Sequence, residues 1–354
     1  MDDPVGYRVE RIDPLELAPA QLREAAELYQ ALQRERTPED PLTPIEAIER
    51  RLLAVVPGQW RAFFGARDSR GALIGYAVVS RSLNEPENPH LRWTELAVSA
   101  QHRRKGVGRA LLRSLVDAVA DQGDDVVLMA QTIDRAPSGS EFARAVGAEP
   151  GLDMKTNQLD LSKVDRAKIL EWAAIAPEGY RLARIDDTVP AHLVAPYIQA
   201  SSGMNDAPRG GLRMADWKLT EEQIRERESW FQQTGVEWWL LVAIHEATGE
   251  GAGFTEVTYD PKVSHVIWQQ GTAVIDAHRG HRLGMWMKAV MLERILDERP
   301  KALFIRTGNA NTNAQMLAIN TKLGFVQAWS ACVWQISITD ARRAVGRERA
   351  GATT

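Results

Sequence analysis

Cysteine is almost absent: Cys332 stands alone in 354 residues. That excludes an internal disulfide framework and a cysteine-ligated zinc site, and it fits a reducing compartment. No motif surrounds Cys332, so it reads as a small apolar core residue rather than a nucleophile. Histidine is sparse as well, at seven. The close pair His278 and His281 lacks both the H-x-x-x-H spacing of a helical metal site and an attendant carboxylate, so no metal is expected. Long apolar runs are missing, and nothing approaches the roughly 20 residues that span a bilayer. The start Met1-Asp2-Asp3-Pro4 lacks the basic and apolar stretches of a signal peptide. The expectation is a cytoplasmic protein with no membrane partner. Charge of one sign is not in surplus either. Lys and Arg number 43 against 47 Asp and Glu, a net charge of −4, which argues against affinity of the whole protein for nucleic acid. The basic clusters at 103–105 and 342–349 have no interleaved aromatics and read as solvated charge. The G-x-S-x-G elbow, the G-x-x-x-x-G-K-[ST] phosphate loop and the three spaced glycines of a dinucleotide fingerprint are all missing.

What is present is an internal repeat. Gly6-Tyr7-Arg8-Val9-Glu10-Arg11-Ile12-Asp13 recurs as Gly179-Tyr180-Arg181-Leu182-Ala183-Arg184-Ile185-Asp186, and His102-Arg103 recurs as His278-Arg279. The two matches share nearly the same offset, which is far too long for a solenoid and is the size of a domain. A composition of 44% hydrophobic and 25% charged residues is ordinary for a globular chain, and this length favours two domains. Both halves read β-α-α-β-β-β-α-β-α-β. In the first half, strands are expected at 7–12, 60–66, 73–82, 92–98, 126–132 and 153–161. Helices fall at 19–34, from 43, at 108–121 and at 139–146. Thr43, Pro44 and Glu46 have the pattern of a capping box. The second half gives strands at 180–185, 238–245, 253–259, 266–274, 302–307 and 325–338, with helices at 192–201, 220–233, 283–297 and 313–322. The division is therefore a first domain at 1–161, a linker helix at 162–178, a second domain at 179–340 and a flexible tail at 341–354.

The segment Leu96-Ala97-Val98-Ser99-Ala100-Gln101-His102-Arg103-Arg104-Lys105-Gly106-Val107-Gly108 leaves a strand, turns and enters a helix. A helix N-terminus carries unpaired N–H groups and partial positive charge, which suits a pyrophosphate. Gly106 and Gly108 let a phosphate approach, and Arg103, Arg104 and Lys105 add cations. An ordinary turn with a solvated basic face is the alternative reading of these residues alone. The pattern Arg103-x-x-Gly106-x-Gly108 resembles the [QR]-x-x-G-x-[GA] signature of the GNAT superfamily of acyl-CoA N-acyltransferases. The element order resembles that fold over almost the whole of each half. The resemblance implies an α/β (α+β) chain of two tandem folds, each with a mixed, mostly antiparallel central sheet flanked by helices. It also implies acetyl-CoA or another acyl-CoA as cofactor, with no metal. Leu96 and Val98 would then meet the pantetheine arm, and Arg103, Arg104, Lys105, Gly106, Val107 and Gly108 would hold the phosphates. In the second half Thr272, Val274, Arg279, Gly280, His281, Arg282, Leu283 and Gly284 take these places, but Arg282 stands where the family has its first glycine. The stretch from Asn313 to Phe325 resembles the family's N-x-x-A-x-x-L-Y-x-x-x-G-F block, in which the Asn bonds the pantetheine side.

Transfer from a thioester to an amine requires a proton acceptor, and Glu95 and Glu256 are the candidates, with His265 beside them. A structural role for each is the alternative. The family often supplies a Tyr as acid near the sulfur, but this sequence has Ala143 and Asn320 there. The loop at 201–208 forms a wall of the acceptor site in the family, so Asn205 and Asp206 are candidate substrate contacts; helix termination is the plainer alternative. The expectation is an N-acyltransferase acting on a small-molecule amine, monomeric or homodimeric, with catalysis in the second half and a structural cofactor in the first. A non-catalytic acyl-CoA sensor, or a transferase fed by an aminoacyl-tRNA or a carrier-protein thioester, is the alternative.

Overall fold

The computed structural model describes residues 6–346. In the first half, β1 (Tyr7–Ile12) leads into α1 (Pro19–Arg36) and α2 (Ile45–Leu53). The meander β2 (Gln59–Asp68), β3 (Leu73–Ser82) and β4 (Leu91–Val98) follows. Then come α3 (Val107–Ala118), β5 (Val127–Ile133), α4 (Ser138–Ala145) and β6 (Glu149–Asp160). The helix α5 (Arg166–Ala174) opens the second half, ahead of β7 (Tyr180–Asp186), α6 (Ala191–Ser201) and α7 (Glu221–Thr234). Strands β8 (Glu237–His245), β9 (Gly251–Tyr259) and β10 (Val266–Val274) lead to α8 (Leu283–Glu298), β11 (Phe304–Ala310), α9 (Ala314–Leu323), β12 (Val326–Ser337) and α10 (Ile338–Gly346).

Local chemistry accounts for several boundaries. Thr220 accepts from the Gln223 N–H while the Gln223 side chain returns to the Thr220 N–H, a complete capping box at α7. Gly235 ends that helix at φ 62. Asp165 caps α5, which is shorter than the expected linker helix and docks on α8, where Trp286 Nε1 donates to the Ala173 carbonyl at 3.1 Å. The capping box expected at Thr43 does not form. Pro44 occupies the N-cap of α2, and Thr43 is buried and pinned to α1, its N–H on Gln33 Oε1 and its carbonyl taking Gln30 Nε2. Part of the tail expected to be flexible is helical: α10 packs on α3, and Arg113 reaches the Val345 carbonyl at 2.5 Å. Residues 347–354 of that tail, and 1–5 of the first expected domain, lie outside the described residues.

The two halves do not make two sheets. A single 12-stranded sheet runs in the order β1-β2-β3-β4-β5-β12-β6-β11-β10-β9-β8-β7. The last strand of each half lies in the other half's sheet. β12 pairs antiparallel with β5, β6 pairs antiparallel with β11, and the two exchanged strands pair with each other at the centre. A boundary at 161 therefore divides the sequence but not the structure. The only parallel pairs among the described residues are β4 with β5 and β10 with β11, so each half is mixed and mostly antiparallel.

The interlock continues above the sheet. The α1–α2 connection sends Asp40 onto β11, where it meets Arg306 in a bidentate pair, one arm at 2.7 Å, with side chains 4% and 2% exposed. In return, the α6–α7 connection of the second half crosses to the first. Gly211 N–H bonds the Gly151 carbonyl, Gln335 brackets Gly211 and Arg213, and Leu212 and Met214 pack on Leu91, Val127 and Met129. Breaking one partner of a buried ion pair leaves an uncompensated charge at a cost of about 3–5 kcal/mol. Asp40→Ala is accordingly expected to destabilise the whole chain by about 3–5 kcal/mol, with one cooperative transition in urea rather than separate transitions for the two halves.

Candidate functional site

Parallel strands normally share a continuous ladder, but these do not. β4 and β5 are in register only over Leu91↔Val127, Arg92↔Leu128 and Trp93↔Met129. β10 and β11 share only Val266↔Phe304, Ile267↔Ile305 and Trp268↔Arg306. Beyond Trp93 and Trp268 the strands part. β4 continues on β3, β10 continues on β9 across a bulge between Gln269 and Thr272, and β5 and β11 continue on the exchanged strands. Each half thus has a wedge whose facing backbone groups have no ladder partner, a setting that calls for a guest with amide-like donors and acceptors.

The basic turn lies past the end of the wedge. Gly106 is the N-cap of α3 at φ 92, with no side-chain cap, so the first-turn N–H groups stay open to an anion. A Cβ on Gly106 would stand 2.9 Å from Tyr7 Oη, which places the first Tyr of the repeated octapeptide against the turn. Its counterpart Tyr180 bonds His278 Nδ1 at 2.9 Å and stacks near His281. Each turn needs two left-handed residues, and the halves divide them in opposite ways. Arg104 has φ 62 before Gly106, whereas Gly280 has φ 84 before Arg282, which caps α8 at φ 62. Gly280 thus supplies the freedom missing from position 282, and Arg282 keeps the same backbone shape at some steric cost.

The side chains of Arg103 and Arg279 are engaged within the protein in this arrangement. Arg103 Nε donates back to the Val98 carbonyl at 2.9 Å, and both its terminal nitrogens bond Glu35 of α1 at 2.5 Å. Arg279 repeats the device: Nε to the Val274 carbonyl at 3.3 Å, one nitrogen to Asp276 and the other to Asp206 at 2.5 Å. The hydrogen bonds from Arg103 hold Glu35 below the usual carboxylate range against the opposing pull of burial. Asp206 thus clasps the second turn through Arg279. Asn205 is likewise committed, with both side-chain groups bonded to the backbone of Trp217. Asn313 caps α9 through the Met316 N–H, and Thr272 bonds Thr255. Lys105 is exposed beside the open amides, Leu283 is buried, and Gly284 faces Ile319.

The two candidate bases differ sharply. Glu95 is exposed on β4, two residues past the point of divergence, and accepts a hydrogen bond from Tyr76 Oη. Burial, with the charge of Glu95, pushes the Tyr76 phenol well up. Glu256 is buried and fully engaged: Arg227 at 2.8 Å, Trp238 Nε1 at 2.8 Å and Tyr197 Oη at 3.3 Å. A carboxylate held by a guanidinium and two further donors is poorly placed to take a proton, which removes Glu256 as a base. His265 is buried and tied into the chain through its carbonyl, and burial lowers its imidazole. Burial, aided by Asp153, pushes the Cys332 thiol up to about 11, against a nucleophile. Asn320 is locked to Asn309 at 2.8 Å, and Ala143 has no proton to give, so no acid occupies the expected place.

Sequence reasoning missed three features. Trp93 and Trp268 stand exposed at the point of divergence in each half, a match that the repeat offset could have found. A cleft of about 480 Å³ opens beside Trp268. Lys288 on α8 is 3% exposed, has no hydrogen bond or ion pair, and faces a small cavity shared with Gln269 and Phe325. Among the described residues, no cluster of His, Cys, Asp and Glu could hold a metal, and no helix is long and apolar enough to cross a membrane.

Two splayed strand pairs, each leading to an open helix N-terminus, define the class as a tandem GNAT fold, and the comparisons agree. A tandem GNAT protein from the clavulanic acid biosynthesis pathway superposes with a TM-score of 0.76 at 23% identity, covering 94% of this chain and 98% of that one. A GCN5-related N-acetyltransferase from Sphaerobacter thermophilus gives 0.65 at 15% identity, covering 94% and 96%. Residues 25–144 match the model of the acetyltransferase (GNAT) family. The chain is also 30% identical over 224 residues to mycothiol acetyltransferase of Saccharopolyspora erythraea, a match covering 58% of this chain and 64% of that protein. It thus spans just under two thirds of the length of that relative.

Two outcomes follow from this geometry. Gly106→Ala is expected to cost about 1–2 kcal/mol in urea denaturation, the usual penalty of a left-handed residue with a Cβ, whereas Arg282→Gly is neutral or stabilising. Burial lowers the Lys288 amine to about 7, while an unfolded lysine keeps its proton to about pH 10.4. Between these values the unfolded chain binds more protons, so this group makes stability rise with pH, at up to about 1.4 kcal/mol per unit. Lys288→Met is expected to be more stable than the parent at pH 7, with the gap narrowing as urea melts move toward pH 10.

Proposed function

We propose that this chain is an acetyl-CoA-dependent N-acetyltransferase that acts directly on the amine of a small molecule. The observation that carries the reading is the wedge between parallel strands ending at an uncapped, left-handed turn, found in both halves. That arrangement fits coenzyme A, whose diphosphate needs N–H donors and whose amide-bearing arm needs backbone partners. When bound, acetyl-CoA supplies the activated acyl group.

The chain's own residues supply the rest. The amides of Lys105, Gly106, Val107 and Gly108 hold the diphosphate in the first half, and those of His281, Arg282, Leu283 and Gly284 hold it in the second. Because the carbonyls of Val98 and Val274 are occupied by the turn arginines, Leu96 and Thr272 are the backbone partners left to the arm. Glu95 takes the proton from the incoming ammonium, and its exposure keeps it accessible to solvent once loaded. An N–H at the parting strands stabilises the developing negative oxygen. The thiolate leaves without an acid, which its ordinary pKa of about 8.5 permits. This reading shifts the expected centre of proton transfer from the second half to the first, because Glu256 is engaged. The missing acid also keeps a non-catalytic acyl-CoA binder as the second reading.

Free thiol, followed with acetyl-CoA and a panel of amines that includes mycothiol-related ones, separates the two. Amine-dependent release supports the enzyme, while binding without release supports the sensor. Glu95→Gln is expected to lower kcat by about 10²–10⁴ with the Kd of acetyl-CoA unchanged. Gly106→Val is expected to remove the first-half site, leaving only the second-half site in calorimetry.

A further inference from the structure

The cleft beside Trp268 is built from both halves. Its lining includes the apolar Val263 and Val266, the rings of Trp230 of α7 and Trp268 of β10, Asp260, and Arg51 of the first half's α2. Trp268 is 40% exposed and is the last β10 residue paired with β11, so the cleft opens at the root of the second wedge.

Its charges are layered. Arg51 bonds Asp260 at 2.8 Å and Arg50 bonds the same carboxylate at 3.1 Å, while Arg227 bonds Glu256 at 2.8 Å. The two carboxylates are 5% and 6% exposed, whereas the Arg51 and Arg227 side chains are 33% and 30% exposed. Asp260 lines the cleft but is covered by its two arginines, Glu256 lies outside the lining, and the arginine side chains are the more exposed charges. Two arginines share Asp260, which leaves one positive charge in excess, and the Arg50 and Arg51 Nε donors have no acceptor. Flat aromatic walls beside guanidinium edges recognise a planar body and a carboxylate together.

We propose that this cleft binds a small molecule carrying a carboxylate on an aromatic or planar body, stacked on Trp268 with its carboxylate against Arg51. Naming that molecule an acceptor substrate rests on the acetyltransferase reading; the binding itself does not. Gln270 and Thr258, bonded to each other at 3.0 Å, line the cleft and offer polar contacts for the rest of the ligand.

The test is a titration of the full-length protein, without acetyl-CoA, by calorimetry and tryptophan fluorescence. The probe is 3-phenylpropionate, compared with its neutral isostere 3-phenylpropanamide. The acid is expected to bind at least tenfold more tightly, to lose that advantage in Arg51→Gln, and to weaken severalfold together with the amide in Trp268→Ala. Trp268 is exposed, so its replacement keeps the fold and holds the test open should Arg51→Gln not fold. Equal affinity for acid and amide, no binding of either, or binding indifferent to Trp268→Ala would overturn the proposal. Saturable binding of the acid in a protein that shows no amine-dependent thiol release sinks the acceptor assignment alone.

Discussion

Parallel strands that share three residue pairs and then separate leave two edges of backbone donors and acceptors inside a protein. Those groups must be met by something other than the sheet. Everything distinctive about this molecule serves to hold that separation open. The outer edge of each diverging strand remains on a neighbour, β3 or β9 on one side and an exchanged strand on the other. The wedge cannot close without tearing an antiparallel ladder. Its opening points at a helix N-terminus whose own donors are unpaired, so two kinds of unsatisfied backbone converge on one groove.

Strand exchange turns this local device into a property of the whole chain. The strand that braces the first wedge is the last one made, and the strand that braces the second comes from the first half. Neither half holds a complete site by sequence alone. The loops repeat the logic, with Asp40 buried against Arg306 in one direction and Leu212 and Met214 seated on the first half's sheet in the other. Such reciprocal bracing fixes the groove geometry and ties two diverged repeats into one sheet.

Divergence between the halves is concentrated where chemistry differs. The turn backbone is conserved as a shape, with glycine and arginine trading the two left-handed positions. The arginine clasp is preserved as well, although its acid comes from α1 in the first half and from the loop after α6 in the second. The faces opposite the turns have parted company. The first presents an exposed carboxylate at Glu95, bonded by Tyr76, and the second an aromatic cleft with arginines on its lining and its carboxylates buried.

The sequence by itself determined the repeat, the element order and the turn, because each depends on near neighbours. Alternation makes strands, spacing makes helices, and Arg103-x-x-Gly106-x-Gly108 bends where glycine permits. The sequence also placed Glu95 on the strand that leads into the turn. Tertiary structure alone decided the rest. Which sheet a terminal strand joins is a question of long-range pairing, so the exchange of β6 and β12 was invisible to local pattern. Whether an ionisable group is available depends on distant partners. Arg103, Asp206, Asn205 and Glu256 carry the right chemistry for a site, yet they are occupied by residues that only the folded chain brings within hydrogen-bonding reach. The cleft beside Trp268 escaped for the same reason, since Arg51 reaches it from a helix more than half the chain away in sequence.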